Sequence, residues 1–146
     1  KNRADDIAEY IDNGGRYLGI CMGAYWAGKY YFNLLDDVEP VQYIKRRKSE
    51  IKRSYATIAD VLWEDQPQSM YFYDGCALIG DQNKMRTVST YANGDPMAIY
   101  QKRIGLIGCH PESMPSWYDR PYLQSYWHEF THHKLLLGFV NNLMKA

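Results

Sequence analysis

Cys21 lies in Gly19-Ile20-Cys21-Met22-Gly23, where a short apolar run, Tyr17 to Ile20, meets a small-and-aromatic run that can be helical. The pattern G-x-C-x-G is the cysteine form of the nucleophile elbow, a tight strand-to-helix turn that holds a reactive side chain clear of the backbone. Glycine is expected on both sides, because a Cβ there would strike the neighbouring strand or block the turn. At a helix N-terminus, unpaired amides and the helix dipole favour a thiolate. Far downstream a second apolar run, Arg103 to Cys109, ends in His110-Pro111-Glu112. Alternate residues of an extended chain share a side, so His110 and Glu112 face one way, and Pro111 stiffens the backbone between them. The spacing suits a histidine base oriented by a carboxylate, with Cys21 as the nucleophile. Each stretch alone has a plainer reading, a buried structural cysteine or a solvated loop after a strand. Together they are far more specific.

A rival chemistry sits near the end, in Trp127-His128-Glu129-Phe130-Thr131-His132-His133, which contains H-E-x-x-H. On a helix His128 and His132 would share a face, and Glu129 could activate a zinc-bound water, which makes a zinc-dependent peptidase the third reading. Catalytic zinc needs another protein ligand. The metzincin continuation is absent, no glutamate follows Glu129, and Asp119, Glu112 and His133 stand at no familiar spacing. The plainer reading is the first turn of a closing helix, His132 to Met144, with Leu135, Leu136, Phe139, Val140 and Leu143 as its apolar stripe. Neither a metal nor a cofactor is expected.

Gly19-Ile20-Cys21-Met22-Gly23 with His110-Pro111-Glu112 resembles the class I glutamine amidotransferase superfamily. Within it, Gly14-Gly15-Arg16-Tyr17-Leu18-Gly19-Ile20-Cys21-Met22-Gly23-Ala24-Tyr25 is most similar to the amidotransferase-like N-terminal domain of eukaryotic-type biotin–protein ligases, a domain with stand-alone relatives. Tyr71-Phe72-Tyr73-Asp74-Gly75-Cys76-Ala77 and Thr90-Tyr91-Ala92-Asn93-Gly94 fit that subfamily in order. The resemblance implies a flavodoxin-like α/β fold, a doubly wound mostly parallel sheet with antiparallel additions. It implies Cys21 as nucleophile, His110 as base and Glu112 as orienter, acting on a carboxamide or related acyl group through a thioester. The backbone N–H of Met22, the residue after the nucleophile, is the oxyanion donor that can be nominated. Gly23, Tyr25 and Tyr73 are the candidates for the substrate pocket. Two departures bear on the substrate. Glutaminases of this class usually carry a glutamine two residues after the second elbow glycine, and here that position is Tyr25. The first strand and the glycine-rich loop supplying half of the oxyanion hole are not recognisable. A catalytically silent binding or regulatory module is therefore the alternative to an amidotransferase or amide hydrolase.

The elements that must position these residues follow from the pattern. Lys1 to Asn13 reads as an amphipathic helix with Ile7, Tyr10 and Ile11 on one stripe, ended by Gly14-Gly15. A fold of this kind normally has a strand before such a helix, so the chain is expected to be the C-terminal portion of its domain. The elbow helix is expected from Met22 to about Phe32, with Asn33 to Pro40 breaking the pattern. Lys45-Arg46-Arg47-Lys48, with Lys52 and Arg53, reads as a solvated loop or strand edge, or as a grip for phosphate. From Ser54 to Ala98 the period turns to two, punctuated by Gln66-Pro67-Gln68, Asp74-Gly75, Gly80-Asp81 and Asn93-Gly94-Asp95-Pro96, which predicts antiparallel strands and hairpins beside the catalytic sheet. Tyr71 and Tyr73 are expected there as packing residues or at the pocket rim. Met97 to Tyr100 pairs with Arg103 to Gly108 across Gln101-Lys102. Ser113 to Tyr126, rich in proline and aromatics, reads as a cap over the site, a packed surface loop or a contact to a partner domain.

The totals bound the rest. A chain of 146 residues with 46% hydrophobic content makes one domain, residues 1–146. Seventeen basic residues balance seventeen acidic ones, so no global field points to nucleic acid or a membrane surface. No run approaches a membrane span, and Lys1-Asn2-Arg3 lacks the apolar core of a signal peptide. Cys21, Cys76 and Cys109 lie in apolar segments, as free thiols in a reducing compartment would, and a cytoplasmic location is expected. The expected partners are a small-molecule carboxamide or acyl substrate, with a synthetase, ligase or N-terminal partner chain beside it.

Overall fold

The computed structural model of the protein describes residues 3–146. Helix α1 (Arg3–Asp12) ends as the glycine pair requires: Gly14 takes φ +104°, and the Gly15 N–H donates to the Tyr10 carbonyl. Lys1 and Asn2, the start of the expected helix, lie outside the described residues. The chain then enters β1 (Tyr17–Ile20), which leads into a short α2 (Met22–Trp26). After β2 (Val38–Gln42) come β3 (Thr57–Trp63), β4 (Gln66–Phe72), β5 (Cys76–Gly80), β6 (Arg86–Tyr91), β7 (Pro96–Gln101) and β8 (Ile104–Ile107). The short α3 (Pro121–Gln124) and the long α4 (Thr131–Met144) follow.

Six strands form one sheet in the order β1-β8-β7-β6-β3-β4, and β2 and β5 form a second, two-stranded sheet. The fold is α/β, as expected. The balance of pairing differs from expectation, because β1–β8 is the parallel pair and the others in both sheets are antiparallel. The reason is local. β3 to β8 are joined by connections too short for a crossover helix, which parallel neighbours would need. β7 and β8 turn back across Lys102, which adopts φ +52°. β3 and β4 do the same at Glu64-Asp65, both with positive φ.

Both faces of the sheet around β7 and β8 are covered. Ile104 and Leu106 of β8 and Ile99 of β7 pack with Ile11 of α1 and Ala24 and Ala27 at the elbow helix. Ile107, Ala98 and Tyr100 face the other way, onto Phe139 and Leu143 of α4. This is the alternation of an extended chain buried on both sides. The Tyr100 and Phe139 rings stack with centroids 4.3 Å apart, and the Tyr100 hydroxyl donates to the Phe139 carbonyl.

Two segments depart from their sequence reading. The elbow helix stops at Trp26 rather than near Phe32: after Gly28 the chain folds back on itself, with the Phe32 N–H bonding Trp26 and the Leu34 N–H bonding Ala27. In the basic run Arg46 is committed to Asp95, Nε to Oδ2 at 2.7 Å, and the Asp95 carboxyl is held below its usual range by Arg46 and Asn93 against the opposing effect of burial. Lys45, Arg47, Lys48, Lys52 and Arg53 lie exposed. Among the described residues no helix is long and apolar enough to cross a membrane.

Candidate functional site

The parallel register of β1 and β8 sets the site. Ile20 stands opposite Ile107, so both strands end at the same edge, and the Cys21 N–H donates to the Ile107 carbonyl at 2.7 Å. At Cys21 the backbone turns through φ +52°, ψ −103°, a conformation that an L-residue adopts only under constraint. The Cys21 carbonyl accepts the N–H groups of Ala24 and Tyr25, which opens α2 directly behind the sulfur. Gly19 is essential to this turn, because a Cβ there would lie 2.4 Å from the Gly23 carbonyl oxygen and 2.8 Å from the Ala24 nitrogen. At Gly23 the expectation of a steric need fails: a Cβ there meets nothing within 4 Å, because that side of the turn is open.

β8 continues past Ile107 through Gly108, where a Cβ would lie 2.1 Å from the Cys76 carbonyl oxygen, so the chain passes against β5 at backbone distance. The His110 N–H then donates to the Tyr71 carbonyl at 2.8 Å, which anchors the histidine at the end of β4. His110 Nδ1 and Glu112 Oε2 are 2.7 Å apart. The structure thus brings together the three residues singled out for nucleophilic chemistry. Burial alone would lower the His110 pKa, but hydrogen bonds to the Cys21 sulfur and to Glu112, and the negative charges of both, raise it to about 9. The Cys21 thiol also reaches the Tyr73 carbonyl, at 3.3 Å. Glu112 Oε1 is buried without a hydrogen-bond partner. Cys76 and Cys109 are fully buried, and burial pushes both thiols up, Cys109 well above its ordinary value. Cys109 packs in the core, as its place before His110 implies.

The surroundings of the pair are aromatic. The His110 ring makes edge contacts with Tyr71 and Trp117, centroids 6.0 and 5.3 Å away. Trp117 belongs to the proline- and aromatic-rich segment, which thus touches the imidazole edge-on, while its Tyr118 and Leu123 are packed with Tyr71 in a buried cluster. Tyr71 and Trp117, the ring neighbours of His110, also line a cavity of about 570 Å³ together with Tyr73, Arg120 and Tyr122, although neither His110 nor Cys21 lines it. Tyr73 is 54% exposed at its rim. Tyr25 is placed differently: its hydroxyl donates to the Asp74 carbonyl at 2.9 Å, while burial, then the charges of Cys76, Asp74 and Cys21, push its pKa up. Gln42 Nε2 bonds the Asp74 carboxylate, so the turn after β4 is braced against the elbow from two sides. Trp117 and the Tyr73 carbonyl were not singled out as site residues from the sequence, since an aromatic contact and a main-chain oxygen leave no mark in residue spacing. A larger depression of about 670 Å³, with Arg86 and Lys102 on its wall, contains neither a cysteine nor a histidine.

The H-E-x-x-H segment is not built as a metal site. His128 precedes α4 rather than lying on it, and Glu129 and Phe130 between them take positive φ. His128 Nε2 bonds the Ser113 carbonyl and its Nδ1 accepts the His132 N–H, so both ring nitrogens are engaged by the chain itself. Glu129 is exposed. Among the described residues no group of three His, Cys, Asp or Glu side chains is arranged to hold a metal ion.

Comparison with known proteins bears on the same elements. The family model for the N-terminal part of biotin-protein ligase matches residues 1–42, a stretch that includes the elbow. A search of curated proteins finds no match. Among solved structures, a glutamine amidotransferase aligns with a TM-score of 0.57 at 17% identity, over 87% of this chain and 67% of its own. The protein SMU.1228c aligns with a TM-score of 0.60 at 14% identity, over 97% of this chain and 68% of its own. A protein from Thermoplasma acidophilum, named as a GMP synthase component, aligns with a TM-score of 0.52 at 15% identity, over 98% of this chain and 68% of its own. At such identities the likeness is one of fold. The chain thus has a class I glutamine amidotransferase-like fold, and in its first 42 residues it is similar to the N-terminal part of biotin-protein ligases.

Proposed function

We propose that the protein is a cysteine-dependent amidotransferase or amide hydrolase, with Cys21 as nucleophile, His110 as general acid–base and Glu112 as its orienter. The observation that carries this reading is the left-handed backbone at Cys21, which sets the thiol at the same sheet edge as the His110–Glu112 pair. A raised His110 pKa fits a thiolate–imidazolium pair, the resting form of a cysteine nucleophile activated by histidine. The sulfur attacks the carboxamide carbon, and the Met22 N–H receives the developing oxyanion. The C–N bond breaks as His110 protonates the leaving nitrogen, releasing ammonia and leaving a thioester on Cys21. His110, now neutral, takes a proton from water, which cleaves the thioester to a carboxylic acid and restores the thiolate. Amide transfer follows instead if ammonia passes to an acceptor bound by a synthetase, ligase or other partner.

Ammonia release from glutamine and from other primary carboxamides tests this, with Cys21→Ala as control. Release that persists in Cys21→Ala removes the cysteine from the mechanism.

Tyr25 favours a second reading, a binding or regulatory module that keeps the triad without turnover. Its hydroxyl is committed to the Asp74 carbonyl, in the place where amidotransferases of this class usually hold a glutamine. Absence of ammonia from every carboxamide tried, together with an unreactive Cys21 at neutral pH, selects the module.

A further inference from the structure

The histidine-rich segment has no role in the proposed chemistry, yet it converges on the residue next to Glu112. Ser113 closes the turn that carries the base and its orienter, its N–H donating to the His110 carbonyl at 3.2 Å. The carbonyl of Ser113 is held from the other side by two imidazoles, His128 Nε2 and His133 Nε2, each at 3.0 Å. The Ser113 hydroxyl meets the Tyr118 hydroxyl at 2.6 Å, so the residue is fastened at three groups and is fully buried. His128 and His132 stack nearly parallel, with centroids 4.4 Å apart.

This network admits one protonation state. His128 donates through Nε2 to the Ser113 carbonyl and accepts the His132 backbone N–H through Nδ1 at 3.2 Å, so a proton on Nδ1 would face another N–H. His132 Nε2 bonds Gln68 Oε1 at 3.1 Å and must therefore carry the hydrogen. Its Nδ1 is buried without a partner, so protonation there would create a cation with no acceptor against a stacked ring. Of the neighbouring groups, Gln68 of β4 is neutral, Tyr118, His132 and His133 are the titratable rings in contact with His128, and Glu112 lies one residue before the clamped carbonyl. On the helix side His133 is half-buried, and Glu129 and Lys134 are exposed.

We propose that His128 and His133 are positioning residues, a clamp on the Ser113 carbonyl that aims Glu112 at His110. The inference rests on the reading of His110 and Glu112 as base and orienter. Burial lowers the pKa of both stacked histidines, for His128 against the Ser113 carbonyl, which favours the charged ring, and for His132, with the charges of His128 and His133 added, to about 4. Near neutrality both rings are therefore uncharged, the state in which the clamp is hydrogen-bonded as described.

Imidazole NMR titrations of the full chain test the clamp, comparing the unmodified protein with His128→Gln and His133→Gln. In the unmodified protein His110 is expected to titrate near 9. In a folded variant its midpoint falls by at least one pH unit, because Glu112 is no longer held against it. An unchanged midpoint in a folded variant overturns the proposal. If neither variant folds, the unmodified protein decides: His128 and His133 each carry their proton on Nε2, read from imidazole nitrogen shifts, and a strongly downfield Nδ1 proton marks the His110–Glu112 bond. An Nδ1–H tautomer at either ring overturns the proposal. A different result, His110 titrating near its ordinary value with no downfield proton in the unmodified protein, removes the base–orienter reading itself.

Discussion

At the scale of single residues, the three cysteines are all buried and differ in residual exposure and polar partners. Cys21, 8% exposed, sits at the end of β1 with the Tyr73 carbonyl and His110 as polar partners, whereas Cys76 and Cys109 lie fully buried among apolar side chains. Iodoacetamide at neutral pH is therefore expected to label Cys21 in the folded protein and to spare the other two, as mapped by mass spectrometry, and Cys21→Ala should abolish the labelling without unfolding the chain. Glu112→Gln keeps the shape of the orienter but removes its charge. The His110 pKa should then drop from about 9, since its hydrogen bond to Glu112 and the carboxylate charge are both among its causes. Activity toward a carboxamide should fall by about 10³–10⁴, the scale seen when the acid behind a catalytic histidine is made neutral.

At the scale of elements, the elbow depends on a backbone contact rather than on helix propensity. α2 has five residues and ends before Gly28, too short to stand without packing on β1 and β8. Gly19 and Gly23, equivalent in the motif, are not equivalent in space. Gly19→Ala forces a methyl against the Gly23 carbonyl and should cost about 3 kcal/mol in urea unfolding. Gly23→Ala points into open space and should change stability by less than about 0.5 kcal/mol. Equal losses at the two positions would show that the turn is not built this way. The antiparallel strands were legible in the period-two run from Ser54 and in its turn residues. The early end of α2 was not, because Ala27, Tyr30 and Phe32 are compatible with a helix, and the chain leaves it to satisfy contacts made elsewhere.

At the scale of the whole molecule, histidines of opposite tendency shape stability. His110 has a raised pKa, so the stability it contributes is fully present below its unfolded value near 6.5 and is lost as pH rises through about 9. His128 and His132 have lowered pKa values; the unfolded chain binds protons more readily than the folded one below pH 6.5, and their contribution is lost as pH falls toward 4. Thermal unfolding across pH 4–9 should accordingly show a maximum near neutrality, and His132→Gln should flatten the acid limb. The basic run is tied into the same body: Arg46 and Asp95 form a half-buried pair between the turn after β2 and the loop between β6 and β7. Arg46→Ala should cost no more than about 1 kcal/mol by urea unfolding, the range of partly exposed ion pairs.

Residue type and spacing by themselves determined that a cysteine, a histidine and a carboxylate stood in the pattern of one reaction, because strand periodicity and glycine punctuation are short-range properties of the chain. They also determined that α/β order and antiparallel hairpins would carry those residues. Only the tertiary structure decided that β1 and β8 run side by side in register, that Trp117 meets the imidazole edge-on, and that His128 turns onto the Ser113 carbonyl instead of lying on the helix. Those outcomes join residues far apart in the chain, through contacts whose energy depends on three-dimensional packing and leaves no local periodicity to read.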